Sequence, residues 1–231
     1  MSKQCIEKYI DKNGNVIYRS SGAKLRIIIS GAFKLILDKI FAVLGIIILF
    51  PLIILISFLI KMDSEGPIFF RQKRTGKNGK IFNVIKFRTM FADNNLRDTT
   101  IADQHTRIGK ILRKTSLDEI PQLFNILIGR MSFVGPRPWI PEYFENMNGI
   151  QRQRYFVKPG LTGLAQVNGR NHLTILEKIN YDLEYVEKFS LVLDIKIFLL
   201  SVYTVLTTKG HDAGKALIRN EIECLKNSNK V

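Results

Sequence analysis

Hydrophobic residues are concentrated in one long run near the start of the chain. Residues 40–60 are apolar throughout and contain no charged side chain. A straight helix over this run would cover about 30 Å, the thickness of the hydrocarbon core of a bilayer. The run is apolar on every side, unlike an amphipathic surface helix. The pattern therefore predicts a membrane helix, with a buried helix of a soluble core as the alternative.

Pro51 lies at the middle of this run. Proline lacks the N–H and its ring clashes with the preceding turn, so we expect a break or kink there. Lysine and arginine flank the run on both sides, and positive flanks are typical of the cytoplasmic face. A helix bent at Pro51 that enters and leaves by one face satisfies both flanks, whereas a straight span satisfies one. We therefore expect a re-entrant helix, with the Ser57 hydroxyl as a candidate partner for carbonyls freed at the bend.

The remaining pattern predicts helices and one hairpin. In residues 67–90, two runs rich in Ile, Phe and Val flank a glycine-containing turn, which indicates a β-hairpin. Helical spacing predicts helices within residues 116–129 and 175–189. Residues 191–206 are apolar but carry two charges, which favours a helix packed on the domain or lying in the membrane interface. The predicted fold class is mainly α with a small β-hairpin (α+β).

These patterns divide the chain into four segments. We expect residues 1–33 to form a basic polar N-terminal arm and residues 34–61 to form the membrane helix. Residues 62–210 are then a cytoplasmic domain and residues 211–231 a polar C-terminal tail. No small-residue cleavage site follows the first apolar run, so the sequence does not indicate a signal peptide.

Charge is the unusual feature of the composition. The chain has 35 Lys and Arg against 20 Asp and Glu, a net charge of +15. This excess predicts an anionic partner: nucleic acid, an acidic membrane surface or a phosphorylated substrate. The two cysteines, Cys5 and Cys224, have no metal-ligand spacing and make no disulfide framework, which fits a reducing compartment.

Two adjacent carboxylates, Asp118 and Glu119, begin a segment with helical spacing. An N-cap at Asp118 would place Pro121 in the first turn, where its missing N–H costs no hydrogen bond. Because a helix N-terminus favours anions and Arg113 lies just upstream, we expect a carboxylate there to keep a low pKa. One carboxylate can then attack phosphorus while the other assists with a metal ion or a proton. An ordinary helix cap is the alternative.

Other basic and amide groups are suited to a phosphorylated ligand. Glycine and proline around Arg137 fix a turn and hold its guanidinium as a candidate phosphate clamp. Strand alternation puts Lys86 and Arg88 on one face of the predicted hairpin. The glycine-rich segment 158–171 allows close backbone approach, and its polar groups suit a nucleotide or a sugar. Ordinary turns and solvated surfaces are the alternatives.

Several of these motifs occur in the order found in a known family. They are the apolar segment with its central proline, Lys86-Phe-Arg-Thr-Met90, Ser116-Leu-Asp-Glu-Ile-Pro-Gln-Leu-Phe-Asn125, Ser132-Phe-Val-Gly-Pro-Arg-Pro138, Pro159-Gly-Leu-Thr-Gly163 and Ala165-Gln-Val-Asn-Gly-Arg-Asn171. The order resembles the bacterial sugar transferase family, the monotopic phosphoglycosyl transferases that begin glycoconjugate synthesis on undecaprenyl phosphate. The resemblance covers about residues 34–210.

The resemblance implies a re-entrant helix broken at Pro51 and a catalytic domain over residues 62–210 on the cytoplasmic face of a bacterial membrane. It implies transfer of a sugar 1-phosphate from a UDP-sugar to undecaprenyl phosphate with release of UMP. This reaction starts exopolysaccharide, capsule, O-antigen or glycoprotein glycan synthesis. Asp118 matches the family nucleophile, which forms a covalent phosphosugar intermediate, and Glu119 matches its partner. Magnesium is the implied cofactor, with both carboxylates as ligands.

Further contacts to the substrate phosphates, nucleotide or sugar are expected. The candidate substrate-binding residues are Lys86, Arg88, Arg113, Gln122, Arg137, Gln166, Arg170 and Asn171. Membrane lipid is an expected partner and nucleic acid is not. A second copy of the chain and downstream glycosyltransferases are further candidates. The chain departs from the family at Phe50, where serine is common, at Lys158, where arginine is common, and at Leu164, where an aromatic is common.

Three other functions are compatible with the sequence. An enzyme acting on the same substrates through a ternary complex would form no covalent intermediate. A membrane-tethered nucleic-acid binder would use the positive charge, although the chain has no helix-turn-helix or zinc-finger pattern. An inactive scaffold of a glycan assembly complex is the third. The residues leave open the sugar, the glycan pathway and the oligomeric state.

Overall fold

The architecture is mainly helical, with small β-sheets. The structure is a computed structural model that describes residues 21–92, 104–169, 172–207 and 218–228. Within these ranges most elements are helices, and the strands form two two-stranded sheets. The predicted class, mainly α with a small β element, is confirmed.

Helix α1, Ser21–Asp63, is the longest element. Its part Ser30–Asp63 is long and apolar enough to cross a membrane, with a mean hydropathy of 3.2 in its most apolar stretch. The apolar helix predicted from the sequence is therefore present. It begins earlier than expected, because residues 21–33 of the predicted arm are helical.

The helix runs without interruption through Pro51. The break predicted at this residue is therefore not found, and a kink there stays a prediction. The Ser57 hydroxyl donates to the Ile53 carbonyl at 2.6 Å, an ordinary bond to the residue four positions back. The carbonyl that loses its donor to the proline is that of Ile47. Ser57 thus does not have the supporting role expected from the sequence.

One side of α1 contacts the rest of the protein along most of the helix. Its buried residues recur at spacings that keep them on one helical face: Lys34, Asp38, Ala42, Ile53, Ile56 and Ile60. Lys34 Nζ lies 2.5 Å from a carboxylate oxygen of Asp194. At the other end, Asp63 accepts a hydrogen bond from Ile108 N at 2.9 Å. The helix is therefore attached to the domain from its first turns of apolar sequence to its last residue.

The other side of α1 is apolar and exposed. Ile48 and Phe58, for example, are 73% and 61% exposed. Such a continuous apolar surface is typical of a face that meets lipid or another protein.

The predicted hairpin is confirmed. Strands β1, Phe69–Thr75, and β2, Ile81–Phe87, pair antiparallel around a short 3₁₀ turn at Lys77–Gly79. Asn78 and Gly79 in this turn have φ of 56° and 75°, the left-handed conformation that these two residue types tolerate. The register places Phe70 opposite Lys86.

The segment with the paired carboxylates is not one helix. Helix α2, Arg107–Thr115, ends at Ser116, which adopts a left-handed conformation with φ 59°. A 3₁₀ turn, Leu117–Glu119, follows, and helix α3, Gln122–Leu127, begins only after Pro121. The predicted N-cap at Asp118 is therefore wrong, because the carboxylates lie in the tight turn that precedes α3.

A short parallel pair of strands joins two of the sequence motifs. Strand β3, Ser132–Val134, pairs with β4, Gly160–Thr162. A Cβ added to Gly160 would lie 2.1 Å from Gly135 N, so the two segments approach more closely than any larger residue permits. The sequence did not predict this sheet, since strands of three residues show no usable alternation.

The remaining elements complete the domain around aromatic and aliphatic core clusters. They are α4 (Pro141–Glu145), a 3₁₀ turn (Gln151–Phe156), α5 (Leu164–Val167), α6 (Ile175–Glu187), α7 (Leu191–Thr207) and α8 (Ile218–Ser228). Residues 218–228 were assigned to a polar tail from the sequence. They instead form α8, which buries Leu225 completely in a cluster with Trp139 and Tyr143.

Helix α7 packs on the domain, which is one of the two positions predicted for it from the sequence. Asp194 and Ile197 are buried on its inner side. Val192, Ile195 and Leu199 are 78%, 62% and 62% exposed on its outer side. Because Lys34 of α1 pairs with Asp194, the two helices that expose apolar faces adjoin each other.

Candidate active site

Asn125 fixes α3 against the hairpin. Its Oδ1 accepts a hydrogen bond from Ile85 N at 2.9 Å, and its Nδ2 donates to Asn83 O at 2.8 Å. The side-chain amide thereby hydrogen-bonds the backbone N–H and carbonyl groups of β2 as a neighbouring strand would. Lys86 follows Ile85 directly, and the carboxylates lie in the 3₁₀ turn two residues before α3. This contact therefore sets the separation between Lys86 and the carboxylates.

Lys86, Glu119 and Arg137 form the centre of the cluster. Lys86 Nζ lies 2.5 Å from Glu119 Oε1, and Arg137 Nη2 lies 2.7 Å from the same oxygen. The Lys86 and Glu119 side chains are 22% and 18% exposed, and that of Arg137 is 46% exposed. Strand β2, the 3₁₀ turn before α3 and the loop after β3 thus converge on one carboxylate.

Asp118 lies beside this cluster, and Lys86 is its ion-pair partner among the described residues. Lys86 Nζ is 3.7 Å from Asp118 Oδ2, beyond hydrogen-bond distance. Burial raises the pKa of Asp118, and Glu119 adds to this effect, whereas Lys86, Arg113 and Arg137 oppose it. The low pKa expected for a carboxylate at this position is therefore wrong for Asp118, since it rested on a helix N-terminus that does not begin there.

Glu119 has the opposite electrostatic character. Burial raises its pKa, but the charges and hydrogen bonds of Arg137 and Lys86 outweigh burial and lower the pKa to about 2. Burial also lowers the pKa of Lys86, which the negative charges of Glu119 and Asp118 oppose. The two neighbouring carboxylates thus differ: Glu119 is in close contact with two cations, whereas Asp118 has one more distant cation, Lys86, among the described residues.

Two further arginines complete the positive surroundings. Arg113, in the last turn of α2, acts electrostatically on Asp118, and its Nη1 contacts His105 Nε2. Arg74 was not among the residues predicted from the sequence. Burial and the nearby charge of Arg137 lower the pKa of Arg74 to about 10. Among the described residues, cations therefore outnumber carboxylates here, which favours the binding of an anion.

The signal that identifies Arg74 is strand alternation. Arg74 pairs with Phe82 and Phe70 with Lys86 in the hairpin register. Residues two apart on a strand share a face, so Arg74 and Lys86 lie on the same face of the hairpin. The sequence shows both strands but not this register.

Arg88 is placed apart from these groups by its contacts. Its Nη2 donates to the Ser64 carbonyl at 2.7 Å and to the Ser64 hydroxyl at 2.9 Å, and its Nη1 donates to the Glu65 carbonyl. The guanidinium is therefore engaged with the C-terminal end of α1, where a cation is favoured. The structure does not bring it into the carboxylate cluster.

The predicted amide contacts have a mixed outcome. Gln122 is 3% exposed. Its Nε2 and both amide atoms of Gln166 have no hydrogen-bond partner among the described residues. Arg170 and Asn171 lie outside the described residues. A role for these four in substrate binding stays a prediction.

Most of the chain matches the sequence model of a known protein family. Residues 29–208 match the sequence model of the bacterial sugar transferases. The chain belongs to the bacterial sugar transferase family. The resemblance inferred from the order of the motifs is thereby confirmed.

Several curated proteins are similar to this sugar transferase. A UDP-glucose:undecaprenyl-phosphate glucose-1-phosphate transferase of Xanthomonas campestris pv. campestris is 43% identical over 76% of this chain and 39% of its own length. A protein of the same name from Klebsiella pneumoniae is 43% identical over 76% of this chain and 40% of its own. An uncharacterized sugar transferase of Bacillus subtilis (strain 168) is 40% identical over 72% of this chain and 81% of its own. The chain thus spans about two fifths of the first two relatives and most of the third.

Proposed function

We propose that this sugar transferase moves a sugar 1-phosphate from a UDP-sugar to undecaprenyl phosphate and releases UMP. The names of the Xanthomonas and Klebsiella relatives state the transfer of glucose 1-phosphate from UDP-glucose to undecaprenyl phosphate. An excess of cations around two carboxylates is suited to a donor and an acceptor that both carry phosphate.

The observation that carries the mechanism is the difference between the two carboxylates. Glu119 Oε1 is held by Lys86 and Arg137 at 2.5 and 2.7 Å, and its pKa is about 2. A carboxylate held in this way is a poor nucleophile and a poor proton carrier near neutral pH. Asp118 has a raised pKa, and its closest cation among the described residues is 3.7 Å away, so it is the better nucleophile.

The reaction proceeds in two steps at one phosphorus atom. An Asp118 oxygen attacks the β-phosphorus of the UDP-sugar, a P–O bond forms to Asp118, and the bond to the α-phosphate oxygen breaks with release of UMP. An oxygen of undecaprenyl phosphate then attacks the same phosphorus, and Asp118 leaves as a carboxylate. The products are UMP and undecaprenyl diphosphate sugar, which balances without another reactant.

The cations act on the charge of the reacting phosphates. Arg137 is 46% exposed, so its guanidinium can bind phosphate oxygens while one nitrogen remains on Glu119. Lys86 and Arg74 lie on the same hairpin face. Fixed cations of this kind stabilise the charge that develops on the leaving UMP without having to reorganise.

The two carboxylates fit a magnesium ion only if the substrate supplies most of its ligands. Within the described residues there is no group of three or more His, Cys, Asp or Glu suited to a metal. Magnesium typically uses one or two carboxylates with substrate phosphates and water, and Asp118 with Glu119 meets that requirement. Bound there, the ion would neutralise part of the diphosphate charge.

The contacts of α1 support a placement of both helix ends on the side of the membrane that holds the domain, and the lysines and arginines on both flanks favour the cytoplasmic face. Its domain-facing side runs from Lys34 to Asp63, about 44 Å along a helix. This exceeds the hydrocarbon thickness of about 30 Å. If α1 crossed the membrane as a straight helix, these contacts with the domain would be lost. Both ends of the helix therefore remain on the side of the domain, and its exposed apolar face meets lipid. Protection of an N-terminal tag from protease added to the cytoplasmic side would contradict this placement.

The function is tested by nucleotide release from the detergent-purified protein. Wild type and Asp118→Asn are incubated with magnesium, undecaprenyl phosphate and each member of a panel of UDP-sugars. We expect UMP from at least one donor with wild type, and a loss of about a thousandfold or more in the variant, since the nucleophile is removed. Release of UDP would mean transfer of the sugar alone and would overturn the mechanism. Absence of UMP with every donor would favour the scaffold.

A further inference from the structure

The loop that carries Arg137 is held by its own backbone carbonyls. The four successive carbonyls of residues 136–139 each accept a hydrogen bond. The donors, in order, are Gly160 N at 3.0 Å, Arg154 Nη2 at 2.8 Å, Arg74 Nη1 at 3.3 Å and Thr75 N at 2.8 Å. The bond to Arg137 itself thus comes from a second arginine.

Arg154 is fixed more firmly than any of the cations at the carboxylates. Its side chain has no exposed surface. Its Nε and Nη2 donate to Asp182 Oδ2 at 2.9 and 2.6 Å. Its guanidinium lies 3.7 Å from the centre of the Trp139 ring. A guanidinium held by a carboxylate and an aromatic face has a fixed orientation. In this orientation Nη2 also donates to the Arg137 carbonyl at 2.8 Å, whereas Nη1 has no hydrogen-bond partner among the described residues.

Stability alone does not require this pair. Replacing a buried ion pair by apolar residues of similar volume is often neutral or stabilising, because the two charges no longer have to be desolvated. An apolar pair, however, has no donor for the Arg137 carbonyl. The feature that only the charged pair supplies is the hydrogen bond to the loop.

We infer that Arg154 is a positioning residue that acts through Arg137, with Asp182 holding it in place. The inference rests on the proposed function. By fixing the Arg137 backbone, Arg154 sets where the guanidinium meets Glu119 and the substrate diphosphate. Small misplacements of a group that binds the transition state are costly, since about 1 Å can change a rate a hundredfold.

The test separates positioning from folding. In Arg154→Met/Asp182→Leu the ion pair is replaced by an apolar pair, so the domain is expected to stay folded while the Arg137 carbonyl loses its donor. Arg152→Met is the matched control. Arg152 is exposed and donates to the carbonyls of Phe144 and Glu145. Melting temperature and UMP release are measured for both variants, in the wild-type background and in Arg137→Ala.

Positioning predicts a specific pattern of losses. The double variant should lose tenfold or more in kcat in the wild-type background and less than threefold in the Arg137→Ala background, because its effect passes through Arg137. Arg152→Met should stay within twofold of wild type. Equal losses in both backgrounds, or full activity of a stable double variant, would overturn the inference. If the double variant does not fold, Arg154→Lys replaces it, since a single amine keeps the charge opposite Asp182 but not the forked contact.

Amide hydrogen exchange tests the positioning of the loop without relying on the proposed reaction. Loss of the Arg154 contact should accelerate amide exchange in residues 135–140 of the folded double variant and not in Arg152→Met. Faster exchange in a protein whose wild type releases no UMP would support the positioning of the loop and count against the proposed function alone. Unchanged exchange in the loop would overturn the inference whatever the activity.

Discussion

Two clusters of charge in this protein follow opposite rules. The Arg154–Asp182 pair has side chains that are 0% and 2% exposed, and among the described residues each charge has the other as its ion-pair partner. The cluster at Glu119 is partly open, with Lys86 and Arg137 22% and 46% exposed, and Arg74 and Arg113 add further cations. A closed, balanced pair organises backbone, whereas an open cluster with surplus positive charge is suited to bind an anion.

The difference has a simple electrostatic origin. A buried pair that loses one partner leaves an uncompensated charge in a medium of low dielectric. The open cluster already contains charges that its own partners do not balance, and solvent screens them in part. Removing one of the surplus cations there should therefore change ligand binding more than it changes folding.

The largest contrast is expected between Asp182→Asn and Asp118→Asn, which make the same chemical change in the two clusters. Asp182→Asn leaves buried Arg154 without a counterion and should lower the free energy of unfolding by about 3–5 kcal/mol. Asp118 has a raised pKa, so its ionised form is a cost to the folded state, and Asp118→Asn should leave stability unchanged or higher. Denaturant unfolding in detergent measures both. Equal destabilisation by the two variants would remove the distinction between the clusters.

A smaller effect is expected from Arg74→Gln. Removing a cation from the open cluster should raise the donor KM about tenfold, the magnitude of one lost hydrogen bond to a charged group. Arg71→Gln is the matched control, because Arg71 is an exposed arginine on the same strand and pairs with Ile85 on the opposite face. A KM that changes equally in both variants would mean that general charge, rather than the site, attracts the donor.

The pH dependence of stability should separate the two carboxylates within the open cluster. The pKa of Glu119 is about 2 in the folded protein, below about 4.3 in an unfolded chain. A depressed pKa contributes stability above the unfolded value, and this contribution is lost as pH falls from about 5 towards 2. In thermal melts over that range, Glu119→Gln should flatten the slope. Asp118→Asn should not, since the raised pKa of Asp118 gives its contribution the opposite sign.

Local pattern was sufficient to predict the apolar helix, the hairpin and the central groups of the site. Two Ile- and Phe-rich runs around a glycine turn indicated the hairpin, and the motif order indicated Lys86, Glu119 and Arg137 as neighbours. These features depend on short-range pattern or on a whole family of sequences. The sequence also contains the amphipathic spacing of Ile218, Ile222 and Leu225. This spacing predicts a helix where we expected a polar tail.

Features set by tertiary contact were missed. The pKa of Asp118 depends on burial and on cations from other segments, so an assumed helix N-terminus gave the wrong direction. The role of Arg154 depends on Asp182, which lies 28 positions further along the chain, and no local pattern connects them. Arg74 required the hairpin register, which the turn residues alone do not fix.

The central claim is that Asp118 carries the phosphosugar between donor and acceptor. It is tested most directly by mixing the wild-type protein with its UDP-sugar and magnesium in the absence of undecaprenyl phosphate. Released UMP is then counted and the protein is weighed by mass spectrometry. We predict about one equivalent of UMP per active site and an added mass of one sugar phosphate on the peptide that contains Asp118. UMP that appears only after undecaprenyl phosphate is added, with no adduct on Asp118, would contradict the account and indicate direct transfer in a ternary complex.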